Sequence, residues 1–117
     1  MMTLREFYEK TGGNYEEVMH RLPGEAFVKK FLRRFSTDPS FETLKKAVET
    51  GDAEEVFQAA HTLKGVCQNL ELGDLQRSVS ELTECVRGGE FGNAAQLFEP
   101  VASDYKKVSM ALEELED

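Results

Sequence analysis

The sequence has no tryptophan, only three prolines, two cysteines and two histidines, and its 14 lysines and arginines are outnumbered by 22 aspartates and glutamates, for a formal net charge of -8. Each scarcity narrows the field. A net anion is a poor partner for DNA, RNA or an acidic membrane surface, all of which recruit lysine and arginine, so a protein partner or a small ligand is expected. No stretch approaches the roughly 20 consecutive apolar residues of a membrane span. The first eight residues, Met1-Met2-Thr3-Leu4-Arg5-Glu6-Phe7-Tyr8, mix charge with apolar side chains where a secretory leader carries an apolar core. No membrane insertion and a cytoplasmic location are therefore expected. Cys67 and Cys85 have no metal-ligand spacing and no histidine close by, and read as small buried hydrophobes. If the chain reverses near Leu72 and Gly73, the two thiols stand roughly 12 Å apart along antiparallel helix axes, too far for a disulfide.

Strand signals are also missing, because valine, isoleucine and threonine never alternate with polar residues over a useful length. Apolar residues recur instead at intervals of three and four, which predicts an all-α fold. Thr3 to Lys10 forms a first short helix in this reading, and Asn14-Tyr15-Glu16-Glu17 has the form of a capping box opening a second that ends near Leu22-Pro23-Gly24. Phe27, Val28, Phe31, Leu32 and Phe35 make a stripe running to about Ser36. Asp38 as cap and Pro39 at the first helical position then restart a helix bearing Phe41, Leu44, Ala47 and Val48, the two pieces forming one bent arm. Gly51 closes the arm, and Asp52-Ala53-Glu54-Glu55 opens a helix whose buried stripe is Val56, Ala59, Ala60, Leu63, Val66, Cys67 and Leu70. Leu72, Leu75, Val79, Leu82 and Val86 form the next seam, stopped by Gly88-Gly89. The last helix carries Phe91, Ala94, Phe98, Val101, Tyr105, Val108, Leu112 and Leu115 over about seven turns, with Pro100 bending it. With 117 residues, 40% of them hydrophobic, the chain fills one core. The expected architecture is a single domain over 1–117: an antiparallel four-helix bundle (24–117) with a short N-terminal helical cap (1–23).

One helix has a face that bundle packing does not explain. With successive residues about 100° apart, His61 falls about 160° from the middle of the buried stripe, on the open side. Gly65 and Gln68 lie one and two turns further along the same face, with Phe57 and Lys64 at its shoulder. A glycine inside a helix costs about 1 kcal/mol relative to alanine, so Gly65 suggests that something must approach the backbone closely. The Lys64 ammonium can reach the space above the imidazole, where a transferring phosphoryl group brings negative charge. An exposed imidazole is largely neutral at pH 7 and acts as a nucleophile without a general base.

The run His61-Thr62-Leu63-Lys64-Gly65 resembles the H-x-L-K-G signature of histidine-containing phosphotransfer (HPt) domains, and Gly51-Asp52 and Ala59-Ala60 precede it as they typically do in that family. The resemblance extends from about Glu25 to Leu115. It implies that His61 accepts a phosphoryl group on Nε2 from the phospho-aspartate of a receiver domain and passes it to another receiver aspartate. By position, Lys64 then stabilises the phosphoryl charge, Gly65 leaves room for it, and Gln68 and Thr62 are possible contacts. The partners implied are response-regulator receivers or a hybrid sensor histidine kinase. No cofactor is implied in the chain itself, since the receiver brings the Mg²⁺. Glu71 departs from the pattern, because many members have glycine there; Gly73 two residues later predicts a differently shaped turn.

Other candidates have plainer explanations. His20 closes a short helix, where the dipole favours a cation. Lys29, Lys30, Arg33 and Arg34 read as a solvated face that could at most attract an acidic receiver surface. Phe57 is either the rim of the core or part of an apolar docking patch. An autophosphorylating kinase or a hydrolase is disfavoured, since no glycine-rich nucleotide loop or second catalytic group accompanies His61; a phosphotransfer carrier without autokinase or ATPase activity is expected. A helical scaffold without chemistry is disfavoured because it would gain stability by replacing Gly65. The acidic end Glu113-Glu114-Leu115-Glu116-Asp117 offers no dimer seam, so a monomer is expected.

Overall fold

The computed structural model describes residues 1–117. Seven helices follow one another: α1 (Leu4–Thr11), α2 (Tyr15–Arg21), α3 (Glu25–Phe35), α4 (Ser40–Thr50), α5 (Ala53–Asn69), α6 (Gly73–Val86) and α7 (Ala94–Glu114). The fold is all α. α5 packs between α4 and α6, α6 packs on α7, and α4 meets α7 to close a four-helix bundle. Its core is one continuous cluster in which Val56, Leu63, Leu75, Val79, Leu82, Val101 and Val108 are buried together with Leu4, Phe7, Tyr8 and Val18 of the N-terminal hairpin.

Local chemistry sets the helix starts. Asp52 Oδ1 accepts the amide hydrogens of Glu54 and Glu55 at 3.0 and 3.2 Å, giving α5 a firm N-terminus. Asn14 caps α2 through Glu17 N–H, but the reciprocal box forms at Thr3 and Glu6, a site not singled out from the sequence. Asp38 accepts from Ser40 N–H, so α4 starts at Ser40 rather than at Pro39. The arm is two separate helices joined at Ser36–Pro39. Phe35, Phe41, Phe98 and Tyr105 bring both against α7, with Phe41 and Tyr105 stacked at 3.9 Å. α7 begins at Ala94 and is nearly six turns long, so Phe91 belongs to the preceding loop, where its carbonyl faces the Cys85 thiol. α7 passes through Pro100, which lies on the solvent side.

The sequence reading of the basic face requires correction. Lys29 and Arg33 are not a free solvated face: Lys29 pairs with Glu116 at 3.5 Å, and Arg33 donates to the carbonyls of Leu115 and Glu116. The C-terminal segment is pinned a second time by Met2, whose N–H donates to Glu114 and whose carbonyl accepts from Glu116. Lys30 and Arg34 remain on the exposed side of α3, Arg34 lying over the Phe31 ring. Phe27 is 37% exposed and Phe31 and Val66 are half-buried, so these three rim the core rather than fill it.

The α5–α6 turn closes on Glu71. Leu72 N–H bonds to the Cys67 carbonyl and Glu71 N–H to the Gln68 carbonyl, the paired bonds that close a helix on a left-handed residue. Glu71, not Gly73, takes that conformation, with φ 55°. An L residue there costs about 1 to 2 kcal/mol. Arg21 compensates from the N-terminal hairpin, donating to the Gln68 carbonyl and pairing with the Glu71 carboxylate at 3.5 Å. Gly73 serves a different end: a Cβ on it would stand 2.0 Å from the Gly12 carbonyl oxygen, and one on Gly13 would stand 2.0 Å from that of Glu71. The two turns are thus pressed backbone to backbone.

Beneath this contact, Tyr8 is buried and donates its hydroxyl to the Leu70 carbonyl at 2.7 Å. Burial, with the nearby Glu71 carboxylate, raises the Tyr8 phenol well above 10, and burial raises the Cys67 thiol from 9.0 to about 12. Both groups hold protons in the fold that the unfolded chain releases. Their contribution to stability is full below the unfolded pKa and is lost as pH rises past about 9 to 10. Tyr8→Phe is expected to lower stability at pH 7 by about 1 to 3 kcal/mol by leaving the carbonyl unpaired, and to flatten the alkaline slope. Urea titrations at pH 7, 9 and 10.5 measure both effects.

Candidate functional site

The N-cap at Asp52 and the left-handed stop at Glu71 fix α5 at both ends, and its buried Val56, Ala59, Ala60, Leu63 and Cys67 fix its rotation. That rotation leaves His61 exposed on the outer side. Phe57, one turn before it, is half-buried against the core and presents its ring to the imidazole, with centroids 5.9 Å apart. Phe57 therefore closes the rim of the core and stands as the apolar shoulder of the histidine face.

Gly65 lies one turn after His61, and a Cβ added there would meet nothing within 4 Å. The bundle's own packing does not require this glycine, unlike Gly13 and Gly73. Lys64 is half-buried beside it, and Gln68 is exposed one turn further on. The Gln68 backbone carbonyl is already taken by Arg21, so only its side chain is free to reach outward. Thr62 is placed differently. It stands about 100° around the helix from His61, its hydroxyl donates to the Gln58 carbonyl at 3.0 Å, and it borders a groove shared with α4. His20 is exposed in the last turn of α2.

Two residues of this face escaped the sequence reading because they come from α6. Arg87 caps the C-terminal end of α6 and lays its guanidinium over the Phe57 ring, 5.2 Å from the centroid. Glu84, one turn earlier, holds it: Arg87 Nε donates at 3.1 and 3.0 Å to the two carboxylate oxygens, and Nη2 donates at 2.6 Å. These hydrogen bonds hold the Glu84 carboxyl below the usual carboxylate range, and the positive charges of Arg87 and Lys64 act in the same direction. The face thus runs from Arg87 and Phe57 through His61 to Lys64, Gly65 and Gln68. The one sequence signal for Arg87 and Glu84 is their i, i+3 spacing, which marks countless surface pairs.

Nothing here encloses a substrate. The imidazole stands on a convex helix surface flanked by an apolar ring and cations, and the chain has no group of three histidine, cysteine or acidic side chains that could hold a metal ion. No helix is long and apolar enough to cross a membrane. The histidine face is thus open to the approach of another protein. Consistent with this, a family model described as Hpt domain matches residues 27–117. The chain belongs to that family, whose members are phosphotransfer carriers rather than kinases and work with receiver domains and kinases in phosphorelays. No curated protein and no solved structure matches the chain closely enough to count as a relative. The family match leaves out residues 1–26, which include the N-terminal hairpin packed on the α5–α6 turn.

Proposed function

We propose that the chain acts as one domain that relays a phosphoryl group through His61, from the phospho-aspartate of one receiver domain to the aspartate of another, as a monomer in the cytoplasm. The observation that carries this reading is the pairing of an exposed His61 with a helical glycine one turn away that no contact within the chain demands. In the forward step the Nε2 lone pair attacks phosphorus in line with the aspartyl oxygen. The P–O bond to the acyl group breaks, its electron pair leaves with the carboxylate, and the imidazole keeps its Nδ1 proton while carrying the new N–P bond. The return step reverses these events on the second aspartate.

Lys64 supplies positive charge to the phosphoryl oxygens during transfer. Gly65 lets the partner's backbone come close enough for in-line approach, and Phe57 is the apolar contact on which the receiver settles. Gln68 is a weaker candidate contact, and Thr62 weaker still because its hydroxyl is engaged in its own helix. The divalent ion of the reaction belongs to the receiver, and the chain itself turns over no ATP.

Gly65→Ala separates the stability of α5 from its use. The variant is expected to gain about 1 kcal/mol in a urea titration, while transfer from a phosphorylated receiver slows on the order of 10-fold or more because the new methyl group stands where the partner approaches. The direct test is phosphotransfer profiling, in which the chain is mixed with each phosphorylated receiver of its source organism. Rapid movement of label to the chain from one or a few receivers is expected. Transfer from none, or equal transfer to a His61→Gln variant, contradicts the proposal.

A further inference from the structure

Arg87 and Glu84 have no part in the relay as described so far. We propose that Arg87 is a second cation that contacts the phosphoryl group on His61, and that Glu84 is a positioning residue holding it over Phe57 until that group arrives. The inference rests on the reading of His61 as the phosphoryl acceptor.

The geometry places the guanidinium close by. Arg87 Cζ lies 5.2 Å from the centre of the Phe57 ring, and that ring lies 5.9 Å from the centre of the His61 ring. The charge is therefore within about 11 Å of the imidazole by the sum of the two distances, at the end of a long and exposed side chain. A planar guanidinium suits the oxygens of a phosphoryl group because it can donate two parallel hydrogen bonds.

In the unphosphorylated chain no anion sits on His61, and Glu84 occupies the Nε–Nη2 edge of the Arg87 guanidinium instead. That pair is exposed, its side chains 53% and 60% accessible, so it contributes little to the fold and is released at little cost. A phosphoryl group brings a charge near −2 at neutral pH, against −1 for the carboxylate, so the guanidinium moves toward the stronger anion. Glu84 also lies close enough to Lys64 for their charges to interact. One carboxylate thus balances both cations of the face at rest, and phosphorylation of His61 draws both away from it. A mere salt bridge shielding Phe57 from water would have no such link to the phosphoryl group.

The titration of the phosphoryl group distinguishes the two. The chain is phosphorylated with potassium phosphoramidate, which needs no receiver, and the phosphohistidine resonance is followed by ³¹P NMR from pH 5.5 to 9. A unit positive charge in such contact, about 4 Å away in water, lowers the phosphoryl pKa by about three-quarters of a unit. Arg87→Ala is therefore expected to raise it by about that much, and Arg87→Lys by less. The effect of removing Arg87 is expected to be larger in a Glu84→Gln background, where the guanidinium is no longer shared. An unchanged phosphoryl pKa on removing Arg87 in both backgrounds overturns the inference and leaves the role of His61 intact. No phosphohistidine on the wild-type chain removes that role and the inference with it.

Discussion

A chain with glutamine at position 61 is expected to fold as the wild type does and to accept no phosphoryl group. The side chain of His61 is exposed and its one neighbouring ring, Phe57, is held by the core rather than by the imidazole. Replacement at such a position changes stability by no more than about 0.5 kcal/mol. The chemical change is complete, because an amide nitrogen has no lone pair available for attack on phosphorus. Labelling by a phosphorylated receiver should fall on the order of 10³-fold or to background. His20→Gln is the matched control. It removes the other histidine, exposed on α2, and labelling should stay at the wild-type level. Unequal urea midpoints for the two variants, or residual label on His61→Gln, runs against this account.

The largest effect on the fold is expected twelve residues further on. Gly73→Ala should lower stability by about 3 kcal/mol and the melting temperature by on the order of 10 °C. The added methyl carbon would lie 2.0 Å from the carbonyl oxygen and 2.9 Å from the carbonyl carbon of Gly12. Both are backbone atoms of a turn whose other glycine, Gly13, is pressed on Glu71 in return. Neither side can yield without separating the N-terminal hairpin from the end of α5, which also strains the Tyr8 bond to Leu70 and the Arg21 bond to Gln68. Gly65→Ala, within α5, is the opposite case, and the two glycines separate packing from function. A calorimetric scan in which Gly73→Ala melts with the wild type would refute the close packing of the two turns.

How much of this was legible in the sequence depended on the range of the interaction. The order of the helices and the exposure of His61 follow from apolar spacing, which is local. Gly65 stood out because helix propensity is local as well. Long-range pairings left no such trace. Nothing near Lys29 or Arg33 indicates that residues 115–117 return to them, so a tethered face read as a solvated one. The sequence marks Glu71 only as a departure from the family's glycine, whereas in the fold it takes the left-handed conformation with Arg21 in support from another helix. Arg87 and Glu84 are ordinary until α6 lies beside α5 and the guanidinium meets Phe57. The capping box at Thr3 and Glu6 is a different kind of omission, since its spacing was in plain view.

The central claim is that a phosphoryl group rests on one nitrogen of one side chain. It is tested most directly by mixing the wild-type chain with a phosphorylated receiver and locating the phosphate by acid and alkali stability, ³¹P NMR and peptide mapping. The account predicts an acid-labile, alkali-stable N–P bond on His61 at Nε2. Phosphate on any other residue, or phosphate that stays on the receiver as an alkali-labile acyl phosphate, would contradict it.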